Sequence, residues 1–184
     1  MKFIEMEKKL LISRQEYDQI LAMLDGQKVI NTEQINYYYD THDEEFRRRN
    51  ITCRIRQKDE KLTGTVKEHI CNGVSVEKPF KVKELPNKIV VEGKSLLFKG
   101  QMITFRRVFQ MCNTIELALD KNIYLGTIDY ELELEYENCE EREAELYMKN
   151  LTSIITQNEK ERTINSKSES FFERLNCIER SDTV

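Results

Sequence analysis

The chain has 184 residues, enough for one domain with a substantial core, and a charged fraction of 34% beside an aromatic fraction of 9% describes a soluble globular protein rather than a disordered one. Its 29 basic and 33 acidic residues leave a net charge of -4, so no global field favours nucleic acid or an anionic membrane, and an anion site must come from local concentration of Lys and Arg. No run approaches about eighteen apolar residues, and Glu5 arrives too early for a secretory signal, so a cytoplasmic protein without a membrane span is expected.

Ile4 to Leu10 reads as a strand. Glu5, Glu7 and Lys9 share one face, opposite Ile4, Met6, Leu10 and Ile12. Ser13-Arg14-Gln15-Glu16 has capping-box form and opens an amphipathic helix carrying Tyr17, Ile20, Leu21 and Leu24. Ile35 to Asp40 is a second strand, ended by a turn at Asp40-Thr41-His42-Asp43. Ile51 to Lys58 then places Thr52, Arg54, Arg56 and Lys58 on one face, and Leu62 to His69 aligns Thr63, Thr65 and Lys67. Paired as a hairpin across Asp59-Glu60-Lys61, these strands bring four cations together, and like charges side by side in a sheet imply an anionic partner.

A further strand starts over Gly73 to Glu77, and Pro86 predicts a short helical insertion running to Leu97 before Gly100 resets the chain. Met102 to Gln110 is β-rich, with Arg106 and Arg107 on opposite faces; alternation alone leaves open which one points inward. Thr114 to Asp120 alternates, and Ile128 to Tyr136 does so most cleanly, with Asp129, Glu131, Glu133 and Glu135 on one face and Ile128, Tyr130, Leu132, Leu134 and Tyr136 on the other. Four aligned carboxylates repel unless cations or a metal neutralise them. The remainder is helical: Glu140 to Gln157 carries Ala144, Tyr147, Leu151, Ile154 and Ile155, Asn158 to Thr163 connects, and Ser166-Lys167-Ser168-Glu169 caps a second helix bearing Phe171, Phe172, Leu175 and Ile178. The five cysteines (53, 71, 112, 139 and 177) are odd in number and lack a C-x-x-C pair, so reduced thiols are expected, and His42 and His69 are too isolated to form a His-based metal site.

About eight antiparallel strands with short connections make a closed β-barrel, α+β in class. The amphipathic helices need an apolar outer surface to pack on, so the charged faces look inward and the interior becomes a hydrated tunnel. Acids on alternate strand positions suit Mg²⁺ or Mn²⁺, and the Arg and Lys of the opposite wall suit phosphate oxygens. Together they describe a setting for phosphoryl transfer.

The ordered set Glu5-x-Glu7-x-Lys9, Tyr39-Asp40-Thr41, Cys53-Arg54-Ile55-Arg56, Thr65-Val66-Lys67, Leu119-Asp120, Glu131-Leu132-Glu133-Leu134-Glu135 and Ser166-Lys167 resembles the CYTH, or triphosphate tunnel metalloenzyme, superfamily, in particular its compact bacterial members. The resemblance implies one domain over residues 1–184, with a terminal helix over about 166–178 and a frayed tail over 180–184. It implies an eight-stranded tunnel for triphosphate-containing substrates with a divalent metal. Glu5, Glu7, Glu131 and Glu133 would hold the metal, supported by Asp120 and Glu135; Lys9, Arg54, Arg56, Lys67, Arg107 and Lys167 would hold phosphate; and Glu5, Glu7 and Lys9 would be catalytic. Arg107 is preferred to Arg106 because the family pattern there is K-x-R, which leaves Phe105 at its first basic position. Pro79 interrupts the acidic alternation after Glu77, and Glu169 stands where a basic residue is often found.

The expected activity is metal-dependent hydrolysis of inorganic triphosphate or a related compound, by a monomer or homodimer that binds neither nucleic acid nor membrane. The alternatives are a lyase like the class IV adenylyl cyclases acting on ATP, a thiamine triphosphatase, and a polyphosphate- or nucleotide-binding module without turnover.

Overall fold

Period-two alternation becomes a ring of strands in the computed structural model, which describes residues 3–71, 73–136, 141–155 and 165–181. Among these lie nine strands: β1 (Phe3–Ile12), β2 (Val29–Asp40), β3 (Ile51–Lys58), β4 (Lys61–Cys71), β5 (Val74–Phe80), β6 (Lys88–Val91), β7 (Lys94–Gln110), β8 (Ile115–Tyr124) and β9 (Thr127–Tyr136). The helices are α1 (Arg14–Met23), α2 (Glu45–Arg48), α3 (Glu141–Ile155) and α4 (Lys167–Ser181). Eight strands follow one another in the order β2-β3-β4-β5-β1-β9-β8-β7, every pairing is antiparallel, and a β2–β7 seam closes the ring. Closure satisfies the backbone donors and acceptors that an open sheet would leave on its edges.

The apolar faces look outward. Ile12 of β1, Phe109 of β7, Leu117 and Leu119 of β8, and Leu132 and Leu134 of β9 form one core with Tyr17, Ile20 and Leu24 from α1 and its end and with Ala144 and Leu151 of α3. α1 begins with the expected capping box: Ser13 Oγ accepts from Glu16 N at 3.2 Å while Glu16 Oε2 accepts from Ser13 N at 2.7 Å. A second outer cluster gathers Tyr39, Phe46, Ile51, Cys53, Ile55, Val66 and Leu96. α2 is organised by a buried carboxylate, since Asp40 Oδ1 accepts from Phe46 N at 3.0 Å and Oδ2 from Arg47 N at 3.0 Å. The Tyr39-Asp40-Thr41 stretch is thus a structural corner.

Two expectations are corrected. The segment from Pro86 to Leu97 is not helical. It forms β6, paired with the start of β7 across the Glu92-Gly93 turn, where both residues have positive φ (52° and 74°) as two-residue hairpins require. β7 is accordingly one strand of 17 residues running through Gly100 rather than starting at Met102. The expected connection over Asn158 to Thr163 and the last residues, 182–184, lie outside the described residues; Arg180 and Ser181 still belong to α4.

The second correction concerns α4, whose apolar stripe does not cover the outside as α1 and α3 do. Phe171 and Phe172 pack with Tyr38, Met102 and Tyr124, which occupy inward-facing positions of β2, β7 and β8. The Phe171 ring lies 4.8 Å from that of Tyr38, Ser168 Oγ is 2.7 Å from Thr52 Oγ1 at the start of β3, and Arg174 Nε donates to Leu125 O at 3.4 Å in the β8–β9 turn. α4 therefore lies across one mouth of the barrel. Its first turn is fixed by Ser166 and Glu169, which exchange backbone-to-side-chain bonds of 3.2 Å and 2.5 Å.

Gly100 makes room for this plug. Its φ of 146° is unfavourable for other residues, and a Cβ there would lie 2.6 Å from Phe171 Cζ. Gly100→Ala should destabilise the protein by about 1–3 kcal/mol through overpacking, read as a lower urea midpoint at an unchanged slope. An unaltered midpoint would show that α4 does not press on this strand.

Candidate functional site

Closing the ring with apolar residues outward turns every charged face into one lumen. Glu7 and Lys9 of β1 stand beside Glu135 and Glu133 of β9 in register, Glu131 stands beside Asp120 of β8, and Asp120 stands beside Arg106 of β7. Across from them, β3 and β4 present Arg54, Arg56 and Lys67. A cavity of about 170 Å³ is lined by Glu7, Lys9, Arg54, Arg56, Lys67 and Glu133, with Arg106, Glu135 and Lys167 completing its charged wall.

Three buried carboxylates, Asp120, Glu131 and Glu133, bring oxygens within 4.8 Å of one another, a spacing that could hold a metal ion. Two cations reach into the group. Lys167 Nζ, from the first turn of α4, lies 2.9 Å from Asp120 Oδ2, 2.6 Å from Glu131 Oε2 and 2.5 Å from Glu133 Oε1. Arg106 grips Asp120 through Nε at 2.9 Å and Nη2 at 2.8 Å, contacts Glu133 Oε2, and donates from Nη1 to Glu135 Oε1 at 3.1 Å. The ammonium of Lys9 on β1 acts on Glu131 and Glu133 as a third cation. Hard oxygen donors at the spacing of Asp120, Glu131 and Glu133 fit a divalent ion.

The titration behaviour follows from burial and from these neighbouring charges. Burial is the main cause raising Glu131, to about 7; Lys167 opposes it and the adjacent Glu133 reinforces it. Burial also works against the charge of Glu133, but Lys167 and Arg106 outweigh it and hold that carboxyl well below its usual range. Burial likewise opposes the charge on Lys167 and Arg106, and their carboxylate neighbours raise both well above their ordinary values.

The opposite wall is cationic. Lys9 Nζ lies 2.9 Å from Glu7 Oε1, and Lys67 Nζ lies 3.6 Å from the same oxygen. Arg54 pairs with Glu77 at 3.1 Å. Arg56 Nε donates to Asn36 Oδ1 at 3.0 Å; burial, and then the like charges of Arg54 and Arg106, lower its guanidinium to about 10. Among the described residues, four buried side-chain nitrogens lack a hydrogen-bond partner: Gln34 Nε2, Asn36 Nδ2, Arg54 Nε and His69 Nε2.

The structure brings together Glu7, Lys9, Arg54, Arg56, Lys67, Asp120, Glu131, Glu133, Glu135 and Lys167. Lys167, however, reaches the acids rather than the cationic wall. The backbone of Glu5 lies on β1 opposite Ser75, and its side chain lies outside the described residues.

Arg107 is the residue the sequence reading misplaced. It is exposed on the outer face of β7, close enough to Tyr17 of α1 to influence its hydroxyl, whereas Arg106 enters the lumen. A signal existed: Ile103, Phe105 and Phe109 share Arg107's parity, and the buried apolar Phe109 belongs to the outer core. Phe105 thus also faces outward, and the inward residue two before Arg106 is Thr104, which donates to Asn122 Oδ1 at 2.8 Å. Reasoning from the sequence also passed over His69, which lines the cavity; there burial, with Lys67 and Lys9, lowers its imidazole.

A model of the CYTH domain family matches residues 4–164. The chain is 29% identical over 147 residues to YjbK of Bacillus subtilis (strain 168), provisionally named a triphosphatase, covering 72% of this chain and 77% of that one. Among solved structures it resembles a Bacillus halodurans protein provisionally named an adenylate cyclase, with a TM-score of 0.73 and 24% identity over 93% of this chain and 98% of the other. HpAC1 from Hippeastrum, provisionally named an adenylyl cyclase and described as having a dominant triphosphatase activity, gives a TM-score of 0.69 at 20% identity, covering 94% and 96%. At these identities the structural likenesses establish the fold alone. No helix among the described residues is long and apolar enough to cross a membrane.

The two adjacent arginines provide a direct test of the register. Arg106→Met removes one partner of a buried network and should cost about 3–5 kcal/mol in denaturant unfolding, whereas Arg107→Met should stay within about 0.5 kcal/mol of the parent. Equal losses would mean that β7 is one residue out of register.

Proposed function

Since this chain belongs to the CYTH domain family, we propose that it is a hydrolase of triphosphate-containing compounds that works with Mg²⁺ or Mn²⁺ inside its tunnel. The observation that carries this reading is the cluster of three buried carboxylates, Asp120, Glu131 and Glu133, whose oxygens lie within 4.8 Å of one another, set across one small cavity from Arg54, Arg56 and Lys67. Carboxylates crowded together in a buried site are costly unless cations neutralise them, and their hard oxygens suit a divalent ion.

Asp120, Glu131 and Glu133 would hold the ion, with, by sequence pattern, Glu5 on the nearby β1. A divalent ion there supplies Lewis-acid neutralisation of phosphoryl oxygens and acidifies a water. The chain's own residues do the rest. Arg54, Arg56 and Lys67 hold the phosphate chain in line, and Glu77 orients Arg54 and stands 4.0 Å from Lys67. Lys9 and Lys67 flank the attacked phosphoryl group and stabilise charge developing on its oxygens. Glu7, placed between those two ammonium groups, accepts the proton of the attacking water, and the departing phosphate leaves with its bridging oxygen as an anion. α4 closes one end and keeps bulk water from that side. Among the described cysteines, all four are free thiols, consistent with a cytoplasmic setting.

A second reading is favoured by one observation. Lys167 already satisfies three carboxylates, as in a module that binds anions without turning them over.

Phosphate release separates the two readings. Inorganic triphosphate, ATP and thiamine triphosphate, each with Mg²⁺ or Mn²⁺, should yield turnover that a chelator abolishes, and Glu133→Gln should lower kcat by about a hundredfold or more. Tight, metal-dependent anion binding without release would select the module.

Metal binding should also be linked to protons. Glu131, raised to about 7, is mostly protonated at about pH 6 and mostly ionised at about pH 8. An ion takes the carboxylate, so calorimetric Mn²⁺ titrations should show tighter binding at about pH 8 and proton release only near about pH 6. Identical affinities at the two pH values would remove Glu131 from the ligand set.

A further inference from the structure

The cationic wall does not stop where the closed cavity does. On the inner faces of β3 and β4 the register sets Thr52 beside Lys67, Arg54 beside Thr65, Arg56 beside Thr63, and Lys58 beside Lys61. At about 3.4 Å per residue, the path from Thr52 under α4 to Lys58 at the far mouth is about 20 Å. Every step along it carries at least one cation. Three linked phosphates are too short to engage all of it.

The far mouth is a depression of about 370 Å³ lined by Arg54, Arg56, Lys58, Lys61, Thr63 and Asp59, among others. It shares Arg54 and Arg56 with the inner cavity, so the two adjoin at those side chains. Lys58 and Lys61 stand directly opposite one another, and like charges in that relation destabilise a hairpin. Neither has an ion-pair partner among the described residues.

We infer that Arg56, Lys58 and Lys61 form a second anion subsite at the open mouth that takes the continuation of a phosphate chain. The preferred substrate class is then linear inorganic polyphosphate longer than three phosphates, rather than a triphosphate carrying an organic group. This rests on the hydrolase reading and narrows it. The chemistry of the mouth supports the narrowing: the lining is cationic, hydroxylic and acidic, with no aromatic ring on which a base or a thiazolium could stack. α4 blocks the other mouth, so one end of a chain enters toward Lys9, Glu7 and Lys67 while the remainder trails past Lys58.

The test compares tripolyphosphate, tetrapolyphosphate, a long-chain polyphosphate and ATP at fixed free Mn²⁺, measuring binding by calorimetry and orthophosphate release. The parent protein should prefer the long chain to tripolyphosphate by about tenfold or more in kcat/KM, the worth of one further charged contact, and ATP should not exceed tripolyphosphate. In Lys58→Ala/Lys61→Ala the ratio of long chain to tripolyphosphate should fall toward one, while Lys81→Ala/Lys83→Ala, with the same loss of charge elsewhere, should keep the parent's ratio. A parent ratio near one, a preference for ATP, or equal effects of the two double variants would overturn the subsite. No release from any compound, with chain-length-dependent binding intact, would overturn the hydrolase reading and leave the subsite standing.

Discussion

Three carboxylates buried side by side inside a closed ring of strands are the constraint on which the rest of this molecule depends. Asp120, Glu131 and Glu133 have little access to water, and burial raises Glu131 to about 7. Such a group survives only if every cation within reach is fixed in place. The register of β7 supplies Arg106, β1 supplies Lys9, and α4 is anchored partly by Lys167. The same constraint inverts the usual barrel. Because the lumen is polar, the apolar faces turn outward, where α1 and α3 shield one side and Phe46 of α2 with the β6–β7 hairpin shields another.

The polar lumen also explains why so few of its charges are simple pairs. Glu7 is shared by Lys9 and Lys67, and Glu77 by Arg54 and Lys67. Sharing divides each carboxylate between two cations, so neither cation is locked into an isolated bidentate pair. A wall of that kind resembles a half-finished coordination sphere, able to exchange carboxylate oxygens for phosphate oxygens at small net cost because both are charge-assisted acceptors. The CYTH match and the likeness to YjbK agree with that chemistry without deciding which anion the tunnel receives.

Much of this was legible in the chain. β9 and β3 alternate so cleanly that their inner faces, and hence Glu131, Glu133, Arg54 and Arg56, could be assigned from period two alone. The acid-to-base segregation of the strands, and the closed barrel, followed. What was hidden had physical causes. β6 is four residues long and follows Pro86, so it carries too little alternation to read as a strand. β7 has basic residues on both parities, and a motif preference overrode the apolar evidence of Phe109. α4 has the stripe of any surface helix; nothing in Phe171, Phe172 and Leu175 distinguishes a barrel mouth from a barrel wall as the surface they bury. The unpartnered amides of Gln34 and Asn36 become visible only when their neighbours are in place.

Lys167 lies 34 residues after Glu133, the carboxylate it approaches most closely, and in the helix that follows all nine strands. On a ribosome the strands emerge first, and the acids of the lumen face one another without that ammonium until the helix is made. Synthesis therefore sets an order that the finished fold conceals: the barrel has to close around charge it cannot yet balance, or wait for its plug. A nascent chain halted before residue 167 would hold an acidic lumen open to whatever cation the surrounding solution provides.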